Sequence, residues 1–274
     1  MESATKLAVL NGRIIDMTEA TLSVQDRELQ YGFGVYESLR VVGKVVVYPL
    51  EHIERLFFSA EGIGLRHNFS VDEVYSWLKS LIEADNLSDA TVRILLMGGM
   101  EARLFITTSP LIVYPDSFYS EGIRTISYAG ERLLPRYKTC SLLMNYLALR
   151  EAGTVGAFEA LLIDRRNLIL EGTRSNVFAC EGESIFTAPS EKVLEGVTRD
   201  KIIKAIGELG FSVILEAPSK QDVLDGRYDE MFISSTSMGA MPVASFDGFT
   251  FSETRKRAQP IHELIRRWEV DTLH

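Results

Sequence analysis

Lys138 stands in the stretch RYKTCSLLMNYLALREA, residues 136–152, with Thr139, Cys140 and Ser141 before an apolar helical pattern. A lysine partly withdrawn from water loses its preference for the ammonium form, and the free amine can attack a carbonyl carbon to form a Schiff base. Position alone leaves a plainer reading open, in which the side chain snorkels its charge to solvent from a strand end. Further along, Glu171 ends a strand in LILEGTRSNVF, and Gly196, Val197 and Thr198 open a helix in LEGVTRDKI. Free N–H groups and the dipole at such a helix start favour a phosphate. Ser235, Thr236 and Ser237 gather three hydroxyls in a strand-end turn in MFISSTSMGAMPV. Upstream, Arg55 lies about 200° from Ile53 on a helical wheel and four residues after Glu51, so a surface ion pair is its simplest role. Tyr36, Ser38 and Arg40 alternate in VYESLR and share one strand face.

Other chemistries lack their residues. GFGVYE has no third glycine at the offset of a dinucleotide fingerprint, and neither a Walker A stretch nor a Gly-x-Ser-x-Gly elbow occurs. His52, His67, His262 and His274 are scattered, and Cys140 and Cys180 are far apart, so no metal site is expected.

The elements that must position these residues follow from periodicity. KLAVL and RIID flank Asn11-Gly12, a hairpin signal, and VYESLRVV turns through Gly43-Lys44 into VVVY. Leu50, Ile53, Phe57 and Ala60 recur at helical spacing, and Ser70 with Glu73 forms a capping box before a second amphipathic helix. TVRILLM, RLFIT and LIVY read as strands. YPDSFYSEG gathers Pro, Ser and Gly, which places a linker at 116–122 between domains 1–115 and 123–274. In the second domain IRTISYA, FEALLI, NVFAC, SIFTA, FSVILEA, EMFIS and PVASF read as strands, and TRDKIIKAIGELG as a helix stopped by Gly210. A last helix carries Ile261, Leu264, Ile265 and Trp268. Strands with scattered helices point to an α+β class.

The chain has 274 residues, 46% apolar and 24% charged, enough for a sizeable core. A net charge of −9 argues against sequence-independent nucleic-acid binding. Two cysteines are too few for a disulfide framework, and MESATK carries no apolar signal region, so the expected compartment is the cytoplasm. The longest apolar run, from Val41, is broken by Gly43 and Lys44 and falls far short of the roughly 20 residues of a membrane helix.

Taken in order, YGFGVYESLR, HIERLFFSAEGIGL, KTCSLLMNYLALREA, FEALLIDRRNLILEGTRSNVF, LEGVTRD and DEMFISSTSMGAMPV resemble the class IV, or fold type IV, family of pyridoxal phosphate enzymes. That family includes branched-chain aminotransferases, D-amino acid aminotransferases and aminodeoxychorismate lyases. The resemblance covers nearly the whole chain. It implies a two-domain fold, a smaller N-terminal α/β sandwich and a larger C-terminal pseudo-barrel, with a homodimer in which a partner's loop completes the site. It implies pyridoxal 5′-phosphate as cofactor, Lys138 as its Schiff-base lysine and proton shuttle, and Glu171 as partner of the pyridine nitrogen. Arg55, Val197, Thr198, Ser235 and Thr236 would hold the phosphate and Leu194 would lie against the ring. Tyr36, Arg40, Arg93 and Ser237 would meet the substrate.

The same resemblance suggests an aminotransferase acting on an L-amino acid, aliphatic or branched-chain, with 2-oxoglutarate as acceptor. Gly98-Gly99 stands where D-amino acid enzymes of the family carry an Arg-Gly step, and Phe33 replaces the more usual aspartate. Phe33, Tyr36, Met238 and Met241 could line an aliphatic pocket. EGTRSNVF departs from the branched-chain pattern, and its Arg174 either reads a second carboxylate or caps a turn. D-amino acid transamination and the lyase reaction stay open, whereas a non-catalytic binding module is disfavoured because Lys138 and Glu171 are both present.

Overall fold

The structure, a computed structural model, describes residues 6–252 and 255–271; His274 lies outside them. The chain forms two compact units. The first takes the described residues up to Val113 and, from later in the chain, Tyr137–Ser141 and Asp271; the second takes Tyr114–Arg136 and Leu142–Val270. The lysine-bearing strip 137–141 thus groups with the first unit although it falls within the span 123–274.

In the first unit β1 (Leu7–Leu10) and β2 (Arg13–Asp16) are joined through Asn11 and Gly12, whose φ values of 47° and 82° suit a tight hairpin. α1 (Arg27–Gln30) leads to β3 (Gly34–Val42), which turns into β4 (Val45–Val46). α2 (Pro49–Gly62), α3 (Val71–Ala84), β5 (Ala90–Met97) and β6 (Arg103–Ser109) follow. Pro49 starts α2 where a missing N–H costs nothing, and the Ser70–Glu73 capping box starts α3. The sheet order is β2-β1-β6-β5-β3-β4. One face carries Val35, Leu39, Val92, Ile94 and Leu96 into a core with Ile53, Leu56, Val74, Leu78 and Leu81. Strand alternation then puts Tyr36, Ser38 and Arg40 on the other face, and the Ser38–Arg93 register adds Arg93 to them.

The second unit contains α4 (Asp116–Ser120), β7 (Ile123–Ala129), α5 (Leu143–Thr154), β8 (Glu159–Ile163), β9 (Ile169–Gly172) and β10 (Asn176–Glu181). It continues with β11 (Ser184–Phe186), α6 (Val197–Glu208), β12 (Ser212–Ile214), α7 (Lys220–Leu224), β13 (Glu230–Ser235), β14 (Gly239–Phe246), β15 (Phe249–Thr250) and α8 (Ala258–Asp271). Strands β10, β13, β14, β7, β8 and β9 pair in that order, and β9 pairs back to β10 through Glu171 and Asn176, which closes a six-stranded ring. Leu161, Ile163, Val177, Met231, Ile233, Met241 and Val243 share one core. Phe178 and Phe232, stacked at 4.8 Å, belong to another with Ile202 and Ile206 of α6 and Ile261 and Ile265 of α8. Cover on both faces explains why these strands read as apolar runs.

One expectation differs from what is seen, and one segment is more ordered than its composition suggests. Residues 111–114, LIVY, form no strand: Pro110 lacks an N–H, and Ile112 and Val113 are exposed rather than packed. The stretch 116–122 carries α4, whose Phe118 packs with Tyr114 and Phe158, so aromatic burial orders a segment that composition marks as a linker. Among the described residues no helix is long and apolar enough to cross a membrane.

Candidate active site

In the first unit, residues 138–140 run beside the start of β3. The Tyr36 N–H donates to the Lys138 carbonyl at 3.0 Å, the Cys140 N–H donates to the Gly34 carbonyl at 2.9 Å, and Thr139 bridges to Val35. A third bond ties the strip to α2, where the Lys138 N–H donates to buried Ser59 Oγ at 3.0 Å. Gly34 makes the approach possible, since a Cβ there would fall 2.6 Å from Met97 Sδ and 3.3 Å from Cys140 Sγ. The Lys138 amine lies 4.7 Å from the centroid of the Tyr36 ring, and the Arg93 guanidinium carbon lies 4.4 Å from the same centroid. Aromatic contact of this kind orients a cation without neutralising it. Burial, opposed by Arg93, pushes the Cys140 thiol up to about 11, so this cysteine is a packed thiol at neutral pH.

Arg55 is not the surface residue its helical position suggests. Its Nε and Nη2 donate to the two oxygens of Glu37, at 2.7 and 2.8 Å, and His52 Nδ1 lies 2.8 Å from Glu37 Oε2. Glu37 is completely buried on the core side of β3, and His52 and Arg55, three residues apart on α2, close over it. Burial alone would raise this carboxyl, but Arg55 and His52 outweigh it and hold it far below the usual carboxylate range. Burial also pushes His52 below the ordinary imidazole value against the pull of Glu37, whose carboxylate oxygen its Nδ1 faces. No motif in the sequence marks Glu37, yet it occupies the same alternating phase as Val35, Leu39 and Val41, which demands a buried partner.

In the second unit Glu171 is buried at the end of β9. Arg132 Nε donates to Glu171 Oε1 at 2.7 Å, and the Leu194 N–H donates to Oε2 at 3.3 Å. Arg132 also donates to the Pro135 carbonyl, which folds its loop around the carboxylate. Leu194 is half-buried, and its carbonyl accepts from Asn176 Nδ2 at 2.9 Å. Asn176 Oδ1 would lie 2.6 Å from a Cβ on Gly196, so any side chain on the residue capping α6 would have to displace the Asn176 amide. α6 starts with no side-chain cap, which leaves the N-terminal amides of Val197 and Thr198 without the usual capping acceptor. At the end of β13, Ser235 Oγ and Ser237 Oγ lie 3.3 Å apart, the Tyr114 hydroxyl is 3.3 Å from Ser237 Oγ, and Thr236 sits between them in the turn. Arg132 and Tyr114 carry no sequence signal, because each acts from a loop.

Packing bears on four residues the sequence offers for a pocket or its rim. Met238 and Met241 have no exposed surface and belong to the core of the second unit. Phe33 packs in the first unit's core against Gly98, where a Cβ would run into its ring. Arg174 is engaged by the Phe158 carbonyl at 3.2 Å and by Glu159 at 3.6 Å, so it braces the turn between β9 and β10.

Each unit offers part of what a group with an aldehyde, a basic ring nitrogen and a phosphate needs: the first an amine on a braced strip, the second a buried carboxylate and a helix start whose capping glycine leaves its amides uncovered. Residues 34–246 match the model of the amino-transferase class IV family. The chain is 32% identical over 255 residues to a D-alanine aminotransferase of Bacillus licheniformis, covering 88% of this chain and 89% of that protein. It is 28% identical to the branched-chain amino acid aminotransferase from Escherichia coli, with a TM-score of 0.84 over 96% of this chain and 92% of that one. The fold is shared with the branched-chain amino acid aminotransferase from Thermobaculum terrenum solved in its PLP-bound holo form, at 23% identity, a TM-score of 0.87, and 97% and 94% of the two chains covered. The family match runs from the start of β3 to the end of β14 and takes in the residues from Tyr36 to Ser237 described above, and the chain therefore belongs to the class IV aminotransferases, enzymes that work with pyridoxal 5′-phosphate.

Proposed function

We propose that the protein transfers the amino group of an L-amino acid, aliphatic or branched-chain, to 2-oxoglutarate. The observation that carries this reading is the Tyr36 ring, which orients both the Lys138 amine and the Arg93 guanidinium. A reactive amine so near a cation suits a substrate that is an acid, and Arg40, on the same strand face, offers a second cation for a dicarboxylate.

When bound, pyridoxal phosphate supplies an electron sink that lets the Cα–H bond of an amino acid break. Lys138 would hold the cofactor's aldehyde carbon and then carry the Cα proton on Nζ. Glu171 would face the ring nitrogen, with Arg132 and the Leu194 N–H fixing the direction of its carboxylate. Arg55, oriented by Glu37, would meet the phosphate together with Val197, Thr198, Ser235 and Thr236, while Leu194 would lie against the ring. Tyr36, Arg40, Arg93 and Ser237 would bind the acid, with the turn at Thr236 and Ser237 taking its α-carboxylate. A homodimer remains part of the proposal and is checked by solution mass.

D-amino acid transamination is the second reading, and the D-alanine aminotransferase relative supports it. Against it stands Gly98, whose space is filled by Phe33, so a basic side chain at that position would displace a core aromatic. The test is the visible absorbance of the purified protein with pyridoxal phosphate, followed on adding L-leucine, D-alanine or aminodeoxychorismate separately. Loss of the band with L-leucine and its recovery with 2-oxoglutarate is expected. A response to D-alanine alone overturns the L-specific reading, and pyruvate release from aminodeoxychorismate indicates the lyase. Lys138→Ala is expected to lower turnover by at least about a thousandfold.

A further inference from the structure

We infer that Arg266, on α8, is a positioning residue for the substrate's carboxylate: it holds the 235–238 turn by its carbonyls so that donors face the anion. The inference rests on the proposal that this turn takes the α-carboxylate. Arg266 itself lies beyond the region matched by the family model, which ends at residue 246.

Arg266 Nη2 donates to the Ser237 carbonyl at 2.9 Å, and Nη1 donates to the Thr236 carbonyl at 3.4 Å and to Glu269 Oε1 at 2.6 Å. The Tyr119 hydroxyl donates to the Met238 carbonyl at 2.9 Å, and His262 Nδ1 lies 3.1 Å from the Ala240 carbonyl. Side chains of α4 and α8 therefore take the carbonyls of residues 236, 237, 238 and 240. No described peptide bond is cis. In a planar trans peptide the N–H points opposite to the C=O, so fixing the Thr236 carbonyl on Arg266 aims the Ser237 N–H away from it. The Met238 N–H is likewise turned away, and it donates to Ser235 Oγ at 3.3 Å.

The hydroxyls of Ser235, Ser237 and Tyr114 are linked at 3.3 Å and join that N–H side. Gly239, at φ 67°, lets the turn lie against α8, since a Cβ there would fall 2.7 Å from His262 Nδ1 and 3.1 Å from Arg266 Nη2. Without the guanidinium, the 236–237 peptide can rotate and offer its carbonyl oxygen to an anion, which repels it. The guanidinium also polarises both peptides it holds, strengthening their N–H groups as donors.

The test uses the full-length holoenzyme with Arg266→Gln and Arg266→Lys, and Glu269→Gln as a variant that keeps the guanidinium but removes its acidic partner. Three quantities are read: KM against kcat for L-leucine, competitive inhibition by isovalerate, and cofactor affinity by equilibrium dialysis. Arg266→Gln is expected to raise both KM and the isovalerate inhibition constant about tenfold, with kcat and cofactor affinity within about threefold. Arg266→Lys should recover part of the loss, and Glu269→Gln should show a smaller rise of about threefold. Unchanged KM and inhibition constant in Arg266→Gln overturn the role of Arg266. Failure of isovalerate to compete in the wild type instead overturns the carboxylate reading of the turn. A loss of cofactor affinity with unchanged isovalerate inhibition also overturns the inference, by showing that Arg266 serves only the phosphate-holding side of the turn at Ser235 and Thr236.

Discussion

A carboxylate with no exposed surface persists only where cations and donors surround it, and Glu37 has Arg55 and His52 within 2.8 Å. Replacing it by glutamine leaves the largely buried Arg55 guanidinium with a neutral partner, an expected loss of about 3 kcal/mol that chemical denaturation would measure. The pH dependence has a definite sign. His52 has a folded-state value below the ordinary one, so its contribution is full above about pH 6.5 and is lost as pH falls through the folded value. Glu37 is also depressed, so its contribution persists above the ordinary carboxylate value of about 4.3 and fades only in stronger acid. His67, lowered by burial beside Phe57 and Phe69, acts in the same direction as His52. The urea midpoint should therefore fall between about pH 7.5 and about pH 5.5, and fall less in His52→Asn, which keeps a donor for Glu37. Equal slopes in the two proteins would contradict this account. The Glu37 cluster was legible in principle, because the strand phase buries position 37 and a helix brings positions 52 and 55 to one face. The Arg132–Glu171 pair was not, since Arg132 lies in a loop whose path depends on Leu134 at φ 57°.

Elements whose ends are set by local chemistry were readable in advance. Asn11-Gly12 and Gly43-Lys44 have positive φ at both positions, and the Ser70–Glu73 box caps α3 from both sides. LIVY reads as a strand and is none, because a short apolar run carries no record of whether a neighbouring strand is there to pair with it. α6 combines both cases: its start is marked by Gly196, but the reason for that glycine is Asn176, twenty residues away by sequence and adjacent in space. The backbone at Gly196, φ −74°, would accept alanine, so any effect of Gly196→Ala comes from the encounter with Asn176 Oδ1. Shifting the first turn of α6 should weaken binding of pyridoxal phosphate about tenfold while leaving pyridoxal, which lacks the phosphate, nearly unaffected. Equilibrium dialysis with both compounds checks this, and an equal loss for the two would mean that the α6 amides do not hold the phosphate.

At the scale of the whole molecule, Glu171 depends on a ring of strands being closed, and the closure is narrow: β9 meets β10 only at Glu171 and Asn176. Glu159, fully buried on β8, holds that joint. Its Oε1 accepts from the Thr173 hydroxyl at 2.5 Å and the Thr173 N–H at 3.2 Å, and its Oε2 accepts from Ser175 Oγ at 3.1 Å. Asn145 of α5 adds a bond from Nδ2 to the Thr173 carbonyl at 2.6 Å. Burial raises the Glu159 carboxyl above its ordinary value, and these donors and Arg174 only partly oppose the rise. Glu159→Ala leaves two buried hydroxyls without their acceptor, an expected loss of about 2 kcal/mol. Because β13 pairs along its length with both β10 and β14, the loss should stay local. Hydrogen exchange should quicken at β9 and residues 173–176 and remain slow in β13 and β14; uniform quickening around the ring would show instead that the six strands open as one unit. If Glu171 meets the cofactor as proposed, local opening would cost its carboxylate a fixed direction while the rest of the barrel stayed folded, so cofactor affinity should fall in Glu159→Ala at temperatures where β13 and β14 remain protected.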